Sequence, residues 1–305
     1  MNVDRKIFFN DVEVDNEFNS KGFVVHGSIS DKTIKTLTDA FKELEIPDSY
    51  GFGYNVGLNT ELFEKRKAMQ DNIKEIISAE ILPLLNNKEL FTATFMNKVA
   101  NSKIFLPAHQ DWTYTNEDEF DSVMCWIPLV DVTMKNGAMC FVPSSNKLFN
   151  YTRSFPFPLA QTPVDKNCGN LIGYMKTINM KAGEIVFINH KTVHASFPNS
   201  TDTDRLAVGL SIAPKNEDLF VYCLNPVTQG KTKLKYLVDE YFLVNYRHYY
   251  IENKFNNSMP YDFKYPIIEE TKQILPDISW EDCVDFFENN GLKFNPLIVS
   301  QGKLI

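Results

Sequence analysis

The chain has 305 residues, of which 44% are hydrophobic and 13% aromatic, enough to bury a large core in one large or two modest domains. Its formal net charge of −8 argues against a nucleic-acid or anionic-membrane partner. No run approaches the roughly 18 apolar residues of a membrane span, no signal peptide is recognised, and the five cysteines form no CxxC pair. We therefore expect a soluble, cytoplasmic protein with reduced cysteines.

The first 89 residues are predicted to be mainly helical. Residues 31–46 begin at Asp31, a plausible N-cap, and place Ile34, Leu37, Phe41 and Leu44 on one helical face. Residues 60–86 have apolar residues at a comparable spacing and predict a second helix.

From about residue 90 the pattern changes to strands. FTATFMNKVA, SVMCWIPLVDV, AMCFVP, GEIVFIN and RLAVGLSIAP are alternating or apolar, and turn residues such as 135–137 and 181–183 separate them. Several short strands of this kind indicate a β-sandwich or barrel, here over residues 90–230. A segment rich in proline and aromatic residues, 147–178, interrupts this core, and both a functional insertion such as a lid and a plain surface loop fit it.

After residue 230 the pattern predicts a helical C-terminal extension, 231–305. KLKYLVDEYFLVNYRHYYIENKF and SWEDCVDFFENNG both look amphipathic. Because no boundary separates these regions cleanly, we predict a single domain over 1–305. Its class is α+β with a mainly β core.

The stretch PAHQDW offers the first candidate chemistry. On an extended strand the side chains at i and i+2 project to one face, so His109 and Asp111 could reach one point. His194, after the apolar run GEIVFIN, could complete a set of two histidines and one carboxylate, the facial triad of non-haem Fe(II). Arg205 opens the next predicted strand, where its guanidinium could hold a carboxylate through two hydrogen bonds.

Each of these residues also has an ordinary structural interpretation. They could be a strand cap, a turn residue, a half-buried histidine and a surface cation near Asp202 and Asp204. His190 is an alternative third ligand, whereas His26 and His248 lie in the flanks. The order, spacing and β context of the residues together favour the metal site.

HQD, NGAMCFVPSSNK and GEIVFINHKTVHASFPNSTDTDR, in this order, resemble the phytanoyl-CoA dioxygenase-like (PhyH) branch of the Fe(II)/2-oxoglutarate-dependent oxygenases. The resemblance covers about residues 90–215. It implies a double-stranded β-helix, a cupin-like jelly roll, with flanking N- and C-terminal helices. It also implies that His109, Asp111 and His194 bind iron. The family's PGSH segment reads Pro143-Ser144-Ser145-Asn146 here, which changes the loop but removes no ligand.

The same resemblance assigns the cosubstrate residues. It implies that Arg205 pairs with the distal carboxylate of 2-oxoglutarate and that Ser196 supports that carboxylate. Trp126 matches an aromatic position beside the cosubstrate, with core packing as its alternative role. Ser196, Asn199 and Arg205 fall into the family register only if His194, and not His190, is the third ligand.

The activity implied is oxidation of a C–H bond by Fe(II), 2-oxoglutarate and O2, with succinate and CO2 as coproducts. Hydroxylation of a small metabolite, an amino-acid-like compound or a natural-product intermediate is expected. Related halogenases have a small residue in place of the aspartate, so Asp111 argues against halogenation. The sequence predicts neither the substrate nor the oligomeric state.

Two other classes stay open on the sequence alone. One is a cupin-like metalloenzyme that uses these ligands without 2-oxoglutarate, and the other is a non-catalytic β-sandwich binding protein. Residues predicted to line a substrate pocket come from several segments: Tyr54, Asn55, Asn97, Tyr114, Arg153, Phe155 and Tyr174.

Overall fold

The structure is a computed structural model and describes residues 7–44, 46, 53–156, 162–253 and 263–296, with the side chains of 248–253 outside the description. Within these residues the strands are β1 (Phe23–Ser28), β2 (Tyr54–Val56), β3 (Lys88–Lys98), β4 (Leu106–His109), β5 (Val123–Pro128), β6 (Met139–Phe141), β7 (Lys176–Thr177), β8 (Glu184–Asn189), β9 (His194–Ser196), β10 (Arg205–Pro214), β11 (Leu219–Leu224), β12 (Thr232–Val238) and β13 (Ile267–Lys272). The α-helices are α1 (Val12–Lys21), α2 (Asp31–Glu43), α3 (Phe63–Ile81), α4 (Ser145–Leu148), α5 (Pro163–Leu171), α6 (Phe242–Asn253) and α7 (Trp280–Asn289).

Strands β3 to β10 form the core as two antiparallel sheets. The larger sheet has the order β1-β8-β5-β10-β3-β2 and the smaller one the order β4-β9-β6-β7. When the core strands are numbered one to eight along the chain, the sheets read 6-3-8-1 and 2-7-4-5. Long connections therefore carry the chain from one sheet to the other, which is the double Greek key of a jelly roll. The predicted jelly roll is confirmed.

Both faces of the larger sheet are buried, which explains why its central strands read as continuous apolar runs. Along β5, Trp126 points between the two sheets, where the rings of Phe23 and Phe141 also stack at 4.5 Å. Its neighbours Cys125 and Ile127 point the other way, into the layer of helices. Alternate residues of β5 thus pack either between the two sheets or against the helices, and apolar side chains are favoured in both places.

The N-terminal helices cover the outer face of the larger sheet. In α3, Met69, Ile73 and Ile77 recur at helical spacing and are buried in the core that this face shares with the helices. Each such buried side chain contributes about 1.5–3 kcal/mol of apolar transfer free energy. In the described ranges, none of the helices combines the length and apolar content that a bilayer-spanning segment needs.

The two predicted N-terminal helices exist, but with shorter bounds. α2 has Ser30 as its N-cap, so Asp31 is its first helical residue, and α3 replaces the predicted helix over 60–86. The flank also supplies β1 and β2, which extend the larger sheet at its two edges. β2 has only three residues and the burial along β1 does not alternate, so neither strand shows a period-two pattern.

The C-terminal extension was predicted to be helical from residue 231, and this is wrong in part. β12 pairs with β11 on one side and with β13 on the other in a third, three-stranded sheet. In β12 the residues Leu234, Tyr236 and Val238 are buried and alternate with less buried neighbours. Because β12 is followed within a few residues by α6, the sequences of the strand and the helix together resemble one amphipathic helix. The helix predicted in SWEDCVDFFENNG is α7, and the single domain over 1–305 stays a prediction.

Part of the predicted insertion, 147–178, forms regular secondary structure. α5 begins at a capping box formed by Thr162 and Asp165. Residues 157–161 lie outside the described residues. The end of the segment, β7, pairs with β6 and therefore belongs to the jelly roll, so the insertion is shorter than the sequence indicated.

Candidate metal and cosubstrate site

The first and last predicted ligands lie on neighbouring strands of the smaller sheet. β4 and β9 place His109 opposite His194, with the ring centroids 4.3 Å apart. The same strands pair Leu106 with Ser196, so β4 has one more residue than β9 between the two pairs. Such a β-bulge re-aims the side chains around it. Because of the bulge, Leu106 and His109 both line the same cavity inside the jelly roll.

Both imidazoles are oriented by their own backbone. His109 Nδ1 donates to the carbonyl of Pro107 at 2.8 Å, and His194 Nδ1 donates to the carbonyl of Thr192 at 2.9 Å. A carbonyl can only accept, so each Nδ1 carries the proton and each Nε2 keeps a free lone pair. Burial, with the neighbouring His194 as a second cause, lowers the pKa of His109 to about 4. The ring is therefore neutral at pH 7, the form that binds metals.

Asp111 is held through its main chain. Its N–H donates to the carbonyl of His190 at 3.0 Å, and its carbonyl accepts from Arg153 Nε at 2.6 Å. Its Oδ2 has no hydrogen-bond partner and lies 3.9 Å from His194 Nε2. Burial by itself raises the pKa of this carboxyl, but the nearby imidazoles and the Arg153 guanidinium outweigh it and lower the pKa. Asp111 is thus a carboxylate at neutral pH.

The three side chains form one cluster. The ligand atoms of His109, Asp111 and His194 all lie within 4.8 Å of one another. Two neutral imidazoles and a carboxylate on one side of an ion form the donor set of the non-haem iron facial triad. The buried, unpartnered Asp111 Oδ2 also fits a metal ligand, because buried polar atoms normally have a partner.

His190, the alternative third ligand, is not part of this cluster. Its Nδ1 lies 2.7 Å from Ser122 Oγ and 3.1 Å from the carbonyl of Trp112. Its ring lines the cavity, and its own carbonyl accepts the hydrogen bond from Asp111. The structure therefore places His190 as a support for Asp111 and places His194 at the cluster.

The residues predicted to hold the cosubstrate line the same cavity, which has a volume of about 590 Å³. The Arg205 guanidinium is 1% exposed, and its Nε and Nη1 have no hydrogen-bond partner among the residues that the structure describes. It lies 5.3 Å from the centre of the Trp126 ring. Ser196 Oγ is buried and equally unpartnered. Burial lowers the pKa of Arg205 to about 10, so the group is still a cation at pH 7.

An unpaired buried cation is costly, and an unpaired buried hydroxyl is costly too. A carboxylate between Arg205 and Ser196 would offset both costs. The residues present therefore fit a dicarboxylate with one end at this pair and the other end at the triad.

Three of the predicted pocket residues line the cavity. Tyr54 and Tyr114 do so with buried hydroxyl groups, and burial raises the pKa of each. Arg153 also lines it, but its guanidinium donates to both carboxylate oxygens of Glu117, at 2.9 and 2.5 Å. Its charge is therefore already paired.

The other four predicted residues are not among the cavity-lining residues of the described chain. Asn55 and Asn97 pair with each other across β2 and β3, one position away from Tyr54 and Lys98, so they project to the opposite face of the sheet. Asn97 donates to Asp204 instead.

Two aromatic candidates belong to separate packing clusters. Phe155 packs edge-on against Trp112 and Phe242, with centroids 4.6 and 4.9 Å away. Tyr174 packs against Phe287 of α7, and its hydroxyl donates to Glu288 at 3.3 Å.

The cavity also contains residues that sequence reasoning did not name. Leu243 and Arg247 reach it from α6, and the Arg247 guanidinium lies 6.0 Å from the centre of the Trp112 ring. Their spacing of four residues puts them on one helical face, a signal that was hidden because β12 was joined to this helix. Thr162, Asp165 and Cys168, at or near α5, also contribute.

A jelly roll whose cavity brings together two histidines and one aspartate is typical of the non-haem iron oxygenases. Residues 18–207, which include all three ligands and Arg205, match the family profile "Phytanoyl-CoA dioxygenase (PhyH)". The chain belongs to this family. It is therefore an enzyme of the Fe(II)/2-oxoglutarate-dependent oxygenase class, with iron, 2-oxoglutarate and O2 as its cofactors.

Solved structures with a similar fold are distant in sequence. HygX from Streptomyces hygroscopicus, with nickel, 2-oxoglutarate and hygromycin B bound, is 16% identical over 68% of this chain and 88% of its own, with a TM-score of 0.46. The epimerase SnoN from nogalamycin biosynthesis is 18% identical over 68% and 83%, also at 0.46. The carbocyclase SnoK from the same biosynthesis is 18% identical over 69% and 86%, at 0.46. No curated protein matches the chain significantly.

Proposed function

We propose that the protein is a dioxygenase that oxidises a C–H bond of a small organic molecule, with hydroxylation as the expected reaction. In this proposal His109, Asp111 and His194 hold Fe(II), while Arg205 and Ser196 hold the distal carboxylate of 2-oxoglutarate. Trp126 forms the wall beside that carboxylate. Succinate and CO2 are the coproducts.

One observation carries the proposal. Buried polar atoms without partners occur at both ends of the expected cosubstrate position, namely Asp111 Oδ2 at the triad and the Arg205 and Ser196 donors beyond it. All three side chains line one cavity. A cupin-like metalloenzyme that does not use 2-oxoglutarate would have no need for this unpaired arginine.

The protein contributes position, charge and protection from water. The Nδ1 hydrogen bonds of His109 and His194 aim their Nε2 atoms at the ion, and Arg153 fixes the main chain of Asp111. The bound iron and 2-oxoglutarate supply the activation of O2 and the removal of hydrogen from the substrate.

The remaining part of the cavity supports a small substrate with polar groups. A volume of about 590 Å³ lies within the range of small-molecule sites, about 300–1,000 Å³. The Tyr114 hydroxyl is buried and has no partner, so a polar group on the substrate would satisfy it. Trp112 and Leu243 add apolar and aromatic surface. A small metabolite, an amino-acid-like compound or a natural-product intermediate has this mixture of properties.

The first experiment measures cosubstrate binding. Under anaerobic conditions the purified protein, given Fe(II) and then 2-oxoglutarate, is expected to develop the visible charge-transfer band of a chelated keto acid. The Asp111→Ala variant should not develop it. Absence of the band from the wild-type protein, together with no calorimetric binding of 2-oxoglutarate, would refute the proposal.

The second experiment measures the reaction. Succinate formation is screened across a panel of metabolites. For each compound that stimulates succinate formation, the mass of its product is measured by mass spectrometry. Gain of one oxygen atom supports hydroxylation. Loss of two hydrogen atoms indicates desaturation or ring closure, and this result would replace hydroxylation with another C–H oxidation. An unchanged mass indicates epimerisation, which is no net oxidation of the substrate, and this result would refute the proposed reaction.

A further inference from the structure

Lys98, the last residue of β3, has a fully buried ammonium group. Nζ donates to the carbonyls of Ile104 at 3.3 Å, Ser196 at 3.1 Å and Phe197. The side chain is 0% exposed. A lysine ammonium has three N–H donors and no acceptor, so these three carbonyls use all of its donors. Among the described residues that line the cavity Lys98 is absent, because its amine is turned to the backbone behind it.

Lys98 lies in the middle of a row of three residues on the inner face of the larger sheet. It pairs with Tyr54 of β2 on one side and with Arg205 of β10 on the other. Both neighbours line the cavity. Lys98 therefore lies directly between two cavity residues while its own amine reaches across to the smaller sheet.

No carboxylate pairs with this lysine within the described part of the chain. Burial, and next the charge of Arg205, lower its pKa well below the ordinary value. Two buried cations on facing strand positions without an anion cost stability. A side chain kept at such a cost has a reason beyond filling space, since an apolar residue would fill the space more cheaply.

The three carbonyls belong to the segments that carry the site. Ile104 lies just before β4, which ends at His109, and Ser196 ends β9, which begins at His194. The hydrogen bond from Lys98 to the Ser196 carbonyl thus connects the end of β3, which pairs with β10 at Arg205, to the end of β9. Because the Ser196 carbonyl is held on one side, the Ser196 hydroxyl is left facing the cavity.

Gly137 leaves the space that this arrangement needs. It has a φ of +90°, and a Cβ added to it would lie 3.0 Å from Lys98 Cδ and 3.0 Å from the Phe197 carbonyl oxygen. The same Cβ would lie 3.7 Å from Arg205 Nε. The turn before β6 therefore closes tightly over the lysine stem, its acceptor and the neighbouring guanidinium.

We propose that Lys98 is a positioning residue for the cosubstrate, because its ammonium fixes the end of β9 so that the Ser196 hydroxyl and the Arg205 guanidinium meet the same carboxylate. This inference rests on the proposed function, since that carboxylate belongs to 2-oxoglutarate. The Lys98 ammonium donates to backbone carbonyls and lies 5.9 Å from the centre of the Tyr54 ring. Its effect passes through the position of Ser196.

The test compares 2-oxoglutarate binding in Lys98→Met with the wild type, both loaded with Fe(II) and kept anaerobic. Methionine has a similar length but no donor. The Kd of 2-oxoglutarate, from the charge-transfer band and from calorimetry, is expected to rise about tenfold, because a donor to three buried carbonyls is lost. The Kd of Fe(II) should change by less than about threefold, since the histidine Nδ1 bonds are intact. Lys88→Met, at the other end of β3, is the matched control and should leave both values unchanged, because Lys88 Nζ donates to the Ile7 and Asn86 carbonyls far from the site.

A double-mutant cycle with Ser196→Ala distinguishes positioning from general loosening. If Lys98 acts through Ser196, then Ser196→Ala weakens 2-oxoglutarate binding about tenfold in the wild type but less than about threefold in Lys98→Met. Independent losses in the two backgrounds, or an unchanged Kd in Lys98→Met, would overturn the inference while the proposed function stands. Failure of the wild type to bind 2-oxoglutarate would overturn both.

Lys98→Gln provides a second test if Lys98→Met does not fold. Its amide keeps two N–H donors and loses the charge, and its Kd for 2-oxoglutarate is expected to lie between those of the wild type and Lys98→Met. An equal rise in the Kd of Fe(II) and of 2-oxoglutarate in this variant would indicate a structural role only and would refute the inference.

Discussion

The two ends of the cavity are built differently. At the metal and cosubstrate end most of the side chains come from strands, with His109 on β4, His194 and Ser196 on β9, and Arg205 on β10, while Asp111 lies two residues after the end of β4. At the other end they come from loops and helices, including Tyr114, Arg153 from the insertion and Arg247 from α6. Strand pairing fixes positions to within a residue, whereas loops and helices allow the walls to vary. The chemistry is therefore placed on the rigid part and the choice of substrate on the variable part.

Two buried arginines make the difference concrete. Arg205 at the strand end is 1% exposed and has unpartnered donors, whereas Arg153 at the loop end is 2% exposed and forms an ion pair with Glu117. The same residue type is thus kept ready for a ligand in one place and used to hold the protein together in the other. Substitutions at these positions should separate function from stability.

The largest effect is expected at the triad itself. Asp111→Ala should lower the affinity for Fe(II) and the rate of succinate formation by at least about 100-fold, because one of three ligand side chains is lost. Asp118→Ala, at an exposed aspartate nearby in the chain, should change neither value. Fe(II) titration followed by a coupled succinate assay measures both. Retention of activity in Asp111→Ala would show that the cluster is not the catalytic metal site.

The next effect separates the two arginines by function. Arg205→Ala should raise the Kd of 2-oxoglutarate about 100-fold, since charge-assisted hydrogen bonds contribute about 1.5–3 kcal/mol each. Its unfolding free energy should fall by less than about 2 kcal/mol, because the arginine forms no ion pair within the described part of the chain that its loss would leave unpaired. Calorimetry and urea denaturation give the two numbers. If Arg205→Ala binds 2-oxoglutarate with the wild-type Kd, then Arg205 does not hold the distal carboxylate of 2-oxoglutarate.

Arg153→Ala should show a larger loss of stability than Arg205→Ala. Loss of the guanidinium leaves the Glu117 carboxylate buried without its cation, so the unfolding free energy should fall by about 3–5 kcal/mol. The double variant Arg153→Met with Glu117→Gln should recover part of this loss, because neither partner is then charged. Urea denaturation of the three proteins is the measurement. If Arg153→Ala lowers the unfolding free energy no more than Arg205→Ala does, then the two arginines do not differ in their contribution to stability as proposed.

The smallest effect is expected outside the cavity. Tyr174→Phe removes only the hydroxyl group that donates to Glu288 at 3.3 Å. The unfolding free energy should fall by less than about 1 kcal/mol, and substrate-stimulated succinate formation should stay within about twofold of the wild-type rate. A larger loss of turnover would mean that α7 and its cluster contribute to the substrate end after all.

The sequence predicts the strand end of the cavity far better than the other end. His109 and Asp111 were predicted as an i, i+2 pair on a strand, although β4 ends at His109 and Asp111 follows it in a loop. His194 and Arg205 followed from their order and β context, and Ser196 from the family resemblance. Asn55 and Asn97 failed to reach the cavity for the same physical reason, since a shift of one residue reverses the face, and the register of β2 on β3 is not visible in the sequence. Arg247 was missed because it depends on how a distant helix docks.

The bulge in β4 has a consequence for the length of the chain at this point. One extra residue between Leu106 and His109 lets both side chains turn inward against Ser196 and His194. A variant shortened by one residue at Ala108 would have one residue between Leu106 and His109, as β9 has between Ser196 and His194, so a regular strand would still present both side chains to one face. The bulge at Pro107-Ala108 therefore accommodates one extra residue in β4 without moving His109 to the other face of the sheet.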